Sequence, residues 1–130
     1  MAIVIVATYQ VDDLIIETYV EDDFLKQIEQ QRAELPQYLD LETVLEEIET
    51  NRDRKEIIYY YNITNPKIDA QQMQARFSSS LKPRIVRDAC ENIMITDMEW
   101  TVWFYYRDLA GDTLAEGHVA HYDCSIYSHL

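Results

Sequence analysis

His118, His121, Asp123 and Cys124, in the run His-Val-Ala-His-Tyr-Asp-Cys, are the densest group of metal-type ligands in this 130-residue chain. Structural zinc takes four such ligands, and catalytic zinc takes three plus a water. Read as a strand, the run sends His118 and His121 to opposite faces and puts His121 and Asp123 on one, so at most two or three ligands could converge without a bulge. The spacing therefore predicts no metal centre. A thiolate nucleophile would need Cys90 or Cys124 beside His118 or His121, and nothing in the sequence brings such a pair together. Ser79-Ser-Leu-Lys82 matches the S-x-x-K string of penicillin-recognising enzymes, but so short a chain lacks their other motifs. Gly111 and Gly117 are the only glycines, which excludes the Gly-rich loops that cradle nucleotide phosphates. The chain is expected to hold no catalytic site, no metal and no cofactor.

Charge is the stronger signal. Twenty-four acidic against 11 basic residues give a net charge of −13, which disfavours nucleic acid and anionic membrane as direct partners and favours a basic surface. The acidity is a patch: residues 1–53 carry 14 acids against Lys26, Arg32 and Arg52, whereas the later residues are nearly balanced. Between Lys67 and Arg87 the sign reverses, with Lys67, Arg76, Lys82, Arg84 and Arg87 facing only Asp69 and Asp88. Leu41, Val44, Leu45 and Ile48 fall at i, i+3, i+4 and i+7 behind Asp40, a pattern that predicts a capped amphipathic helix over 41–53. Such a helix presents Glu42, Glu46, Glu47, Glu49 and Asp53 along ~17 Å at ~1.5 Å per residue. That is about one carboxylate per 3.3 Å, close to the ~3.4 Å per phosphate along a DNA strand. Asp22, Asp23 and Glu29 extend the candidate acidic surface; the alternative is that these carboxylates simply solvate a helix face.

The elements that must position these groups read as follows. Residues 2–9 are β-branched and apolar, as an interior strand would be. Leu14 to Val20 reads as a second strand, although Val11, Leu14 and Ile15 would also fit a helical turn. Asp22 or Asp23 caps a helix carrying Phe24, Leu25, Ile28 and Leu35 and stopping before Pro36. After helix 41–53, Glu56 to Thr64 reads as a strand and Asp69 caps a helix with Ala70, Met73, Phe77 and Leu81 on one face. A further helix begins at Pro83. Ile93 to Arg107 is a strand, Asp108 to Asp112 a turn with Gly111 free to take positive φ, and Thr113 to Cys124 the returning strand. The expected fold is a single α+β domain over 1–130. Its mainly antiparallel sheet of about five strands has helices packed on one face and a long C-terminal β-hairpin.

Of the ten tyrosines, the clusters Tyr59-Tyr60-Tyr61 and Tyr105-Tyr106 fall on these strands. Half of each cluster must face away from the helices, which suits a protein interface or a homodimer seam. The two cysteines, 34 apart and outside any CxxC pattern, read as reduced and buried, and Asn62-Ile-Thr64 as a chance sequon. With no basic n-region at the N-terminus and no long apolar stretch, a cytoplasmic location is expected. The functional expectation is a non-enzymatic acidic protein that binds a basic, nucleic-acid-binding surface of a partner by charge mimicry. Small phage and plasmid anti-defence inhibitors, some of which block nucleases or CRISPR complexes, provide the analogy. The alternative is a small enzyme or ligand-binding domain whose pocket between sheet and helices holds an anionic ligand through Arg84, Arg87, His118 and His121.

Overall fold

The structure is a computed structural model that describes residues 2–127, with side chains over 17–124. It falls into two compact units, Met1–Ala33 and Glu34–Leu130.

The first unit is one helix, α1 (Ala2–Ala33). This corrects the expected strands at 2–9 and 14–20, and merges them with the helix expected from Asp22. The physical reason is the absence of any breaker. No glycine or proline occurs before Pro36, and β-branched residues cost a helix only tenths of a kcal/mol each. The Asp12-Asp13 pair does not interrupt it.

The second unit is α+β. A five-stranded mixed sheet runs in the order β1 (Gln37–Tyr38), β2 (Thr43–Asn51), β3 (Glu56–Ile63), β4 (Thr101–Arg107), β5 (Thr113–Val119). All neighbours are antiparallel except β3 and β4, which are parallel. Parallel strands need a crossover. It is built from α2 (Ala70–Arg76), a π-helical turn (Phe77–Leu81), α3 (Lys82–Ala89) and α4 (Ile93–Thr96). Asp69 starts α2 with a capping box, its carboxylate accepting from the Gln72 N–H and the Gln72 side chain accepting from the Asp69 N–H. Asn92 caps α4 in turn, accepting from the Met94 N–H, so the strand expected from Ile93 begins only at Thr101. The buried residues of this unit come from the sheet and from these elements. Phe77 is buried with its ring 5.6 Å from that of Tyr106, and Met73, Met94 and the fully enclosed Trp100 lie in the same core.

The helix expected over 41–53 is the strand β2, and its misleading periodicity has a structural cause. A bulge between Leu45 and Glu47 inserts one extra residue, so Leu45 and Ile48, three apart, land on the same face of the sheet. Val44 is buried on the other face, and Leu41 is 99% exposed. The cap signal was equally real and equally ambiguous. Asp40 Oδ1 accepts from the Glu42 and Thr43 N–H groups, an Asx turn that leads into a strand.

The strand expected to run to Cys124 ends at Val119, because Asp123 accepts a hydrogen bond from the Ala120 N–H and starts a last helix, α5 (His121–Tyr127). The cysteines are corrected too: Cys90, following α3, and Cys124, on α5, form a disulfide across 34 residues. Reduced thiols were expected because spacing alone carries no information about which helix ends meet.

Candidate functional site

Strand alternation divides the sheet into two faces. Ile57, Tyr59, Tyr61 and Ile63 of β3 align with Val102, Phe104 and Tyr106 of β4 and with Ala115, Gly117 and Val119 of β5. This is the core face. Tyr61 stacks on Tyr106 at 4.8 Å and Tyr59 on Phe104 at 5.7 Å. Burial pushes the Tyr59 and Tyr61 hydroxyls above their ordinary range, and that of Tyr106 to about 12.

The opposite face carries two cross-strand rows. In one, Glu47, Tyr60, Tyr105 and Glu116 succeed one another from β2 to β5; in the other, Glu49, Ile58, Trp103 and His118 do. The rings are paired: Tyr60 with Tyr105 at 5.5 Å and Trp103 with His118 at 4.6 Å. Such aromatic pairs are each worth about 0.5–1.5 kcal/mol beyond burial. His118 Nε2 and the Tyr122 hydroxyl, 2.9 Å apart, share a hydrogen bond that ties β5 to α5. Tyr60 donates weakly to Glu49 Oε2 at 3.4 Å; its hydroxyl is raised by burial first and then by the nearby Glu49 charge. Arg107 lies 4.6 Å above the Tyr60 ring and 3.5 Å from Glu47 Oε2. Its Nε and the Trp103 indole nitrogen are buried without hydrogen-bond partners among the described residues. The result is an aromatic strip flanked by carboxylates at both ends, with Glu47, Glu49 and Glu116 exposed and the rings half-buried. A ring face and a carboxylate both favour a cation, so the strip suits lysine or arginine side chains.

The expected site residues are distributed differently from the predicted helix face. Glu47 and Glu49 lie on the strip, Glu46 sits at the bulge, and Asp53 occupies the exposed turn between β2 and β3. Glu42 is engaged locally, accepting from Asn65 Nδ2 at 3.1 Å and pairing with Arg76 at 3.5 Å. Along a strand, same-face residues are ~6.8 Å apart, so the one-carboxylate-per-phosphate spacing is absent. Asp22, Asp23 and Glu29 belong to α1, where Asp23 accepts from Gln27 and Glu29 pairs with Arg32. The residues of the alternative pocket are not brought together. His118 bonds Tyr122, His121 Nδ1 lies 2.9 Å from the Thr96 carbonyl, and Arg84 and Arg87 are exposed on α3. A shallow cleft is lined instead by Ile63, Pro66, Ile68, Asp108 and Leu109. Among the described residues no three His, Cys, Asp or Glu side chains gather as a metal site.

Arg107 and Glu116 were not singled out from the sequence, and Tyr105 entered only as a member of a tyrosine cluster. The signal was available: Thr101, Trp103, Tyr105 and Arg107 alternate with the buried Val102, Phe104 and Tyr106. What could not be read was the parallel pairing that sets Tyr60 beside Tyr105.

No family model matches the chain, and no curated protein does. Two solved structures share its fold. One is a Pseudomonas aeruginosa protein assigned as secreted, with a TM-score of 0.61 at 9% identity, covering 78% of this chain and 90% of that one. The other is EpsS, the pilotin of the Vibrio vulnificus type 2 secretion system, with a TM-score of 0.55 at 14% identity, covering 76% and 86%. These neighbours correct the expectation of a cytoplasmic location, since both are named for secretion. The Cys90–Cys124 disulfide agrees with that correction, because cytosolic thiols are kept reduced. No helix among the described residues is long and apolar enough to cross a membrane.

Proposed function

We propose that this chain is a non-catalytic binding domain that works outside the cytoplasm, in the secretion setting its two structural neighbours share. It would hold a basic segment of a partner protein on the carboxylate-flanked aromatic strip. The observation that carries the reading is the pair of rows Glu47–Tyr60–Tyr105–Glu116 and Glu49–Ile58–Trp103–His118 on one sheet face. A net charge of −13 steers a cationic partner toward such a face. The disulfide and the two neighbours support the location. The narrower reading, competition with nucleic acid by charge mimicry, drew on a helix at 41–53 and loses that geometric support; the preference for a basic protein partner does not depend on it.

The test is titration with a lysine- and arginine-rich peptide, read by calorimetry. Wild type should bind, and more weakly as salt rises, because exposed charges are screened beyond ~8 Å at physiological ionic strength. The triple variant Glu47→Gln, Glu49→Gln, Glu116→Gln should bind about tenfold more weakly, each exposed contact contributing up to ~1 kcal/mol. Equal affinity in the triple variant would overturn the reading.

A further inference from the structure

We propose that β5 is a self-association edge. Two copies would pair β5 to β5, antiparallel, about a two-fold axis at Gly117, with Glu116 of each opposite His118 of the other.

The argument begins at the 108–112 connection. The Gly111 N–H donates to the Asp108 carbonyl at 3.0 Å and the Asp108 N–H to the Asp112 carbonyl at 2.9 Å, with Gly111 at φ 91°. Asp108 and Asp112 are therefore a hydrogen-bonded pair, and the ladder recurs at alternate residues from there. An irregularity between Tyr106 and Arg107 absorbs Leu114, so the bonded pairs are Tyr106 with Ala115, Phe104 with Gly117 and Val102 with Val119. The main-chain N–H and C=O groups of Glu116 and His118 then point out of the sheet. β5 is the last strand in the order, and among the described residues these groups meet no main-chain partner.

The two edges of the sheet differ in how they are protected. At the other edge β1 is two residues long, and β2 beyond it carries a bulge and Glu46, Glu47 and Glu49. Short strands, bulges and like charges are the usual means of preventing edge-to-edge pairing. Thr-Leu-Ala-Glu-Gly-His-Val of β5 has no lysine or proline and balances its one carboxylate with an imidazole.

That balance is self-complementary. With Gly117 on the axis, Glu116 faces His118 twice, a carboxylate acceptor opposite an imidazole that can donate, whereas like charges placed there would be unfavourable. Gly117 would form the close, non-bonded pair, about 4.5 Å between Cα atoms, where it brings no side chain. Both flanking side chains belong to the aromatic strip, so the strips of the two copies would run on into each other. The inference does not depend on the peptide-binding function, and its test uses no peptide.

Sedimentation equilibrium over a wide concentration range, with amide hydrogen exchange, tests it. The mass should rise with concentration from 15.4 kDa toward twice that value, and the Glu116 and His118 amides should gain protection in step. Glu116→Pro deletes an N–H that no main-chain group within the protomer accepts, and should be monomeric while keeping wild type's melting temperature at concentrations where wild type is itself monomeric. Glu116→Lys should weaken association about tenfold, because the acceptor that the partner's imidazole would meet is replaced by a cation. Adding His118→Glu to that variant should restore it. A mass fixed at 15.4 kDa at every concentration would overturn the proposal. So would association that Glu116→Lys leaves unchanged, or edge amides protected only when a different protein is added.

Discussion

The two faces of one sheet draw on the same residue types for different ends. Tyr59 and Tyr61 stack with Phe104 and Tyr106 in the core, while Tyr60 and Tyr105, their immediate neighbours in sequence, stack on the opposite face beside Glu47, Glu49 and Glu116. Residue identity does not decide which tyrosine supports the fold and which lines the strip; strand parity does. The core face is closed by Phe77, and the strip is bordered by carboxylates and by the cation of Arg107.

If that division is right, truncation should separate the faces sharply. Phe104→Ala removes a buried ring and should cost about 3–5 kcal/mol in urea unfolding, whereas Tyr105→Ala forfeits mainly one ring pair and should cost about 1 kcal/mol. Similar losses on both faces would erase the distinction. Next in size is the disulfide: replacing Cys90 and Cys124 together by Ser should cost about 2–4 kcal/mol, because the cross-link restricts the unfolded chain. Tm of the double variant against wild type gives the comparison.

Gly117 sharpens the contrast at a single position. A Cβ there would sit 2.3 Å from Phe77 Cε1 on the core side. Gly117→Ala should therefore lower stability by about 1–3 kcal/mol, and Phe77→Leu in the same chain should recover part of the loss. A neutral Gly117→Ala would mean that Phe77 is not fixed against β5.

The smallest effect is in titration. Burial raises the hydroxyls of Tyr59, Tyr61 and Tyr106 above the ordinary 10.0, the last to about 12. A raised folded-state value means the unfolded chain releases these protons first. Their contribution to stability is complete below pH ~10 and is lost as pH rises from there toward ~12. Tyrosinate absorbance should show the core-face tyrosines Tyr59, Tyr61 and Tyr106 ionising only above the ordinary 10.0, as the protein unfolds. Their ionisation near 10.0 in the folded protein would contradict the assignment of faces.

Much of the second unit was legible. Strand β3, the Asp69-capped α2, the proline-initiated α3 and the Asp108–Asp112 connection all carried local signals that tertiary packing did not override. The failures are equally physical. The β-branched run at 2–9 reads as a strand only if something breaks it, and no proline or glycine does. At 41–53 a bulge imitates helical spacing, and an Asx turn imitates an N-cap. On the site, outward-facing tyrosines and the acidity of Glu47 and Glu49 could be read directly. The row that joins them could not, because the parallel register of β3 and β4 is set by a crossover of nearly forty residues, beyond any local pattern.

An NMR map of backbone and indole shifts, recorded while a lysine- and arginine-rich peptide is added, bears most directly on the strip as the binding face. The account predicts that the largest shifts gather at Glu47, Glu49, Tyr60, Trp103, Tyr105, Glu116 and His118, with Tyr59, Phe104 and Tyr106 nearly still. Shifts concentrated instead on the α1 carboxylates Asp22, Asp23 and Glu29, or spread evenly over all acidic residues, would contradict it.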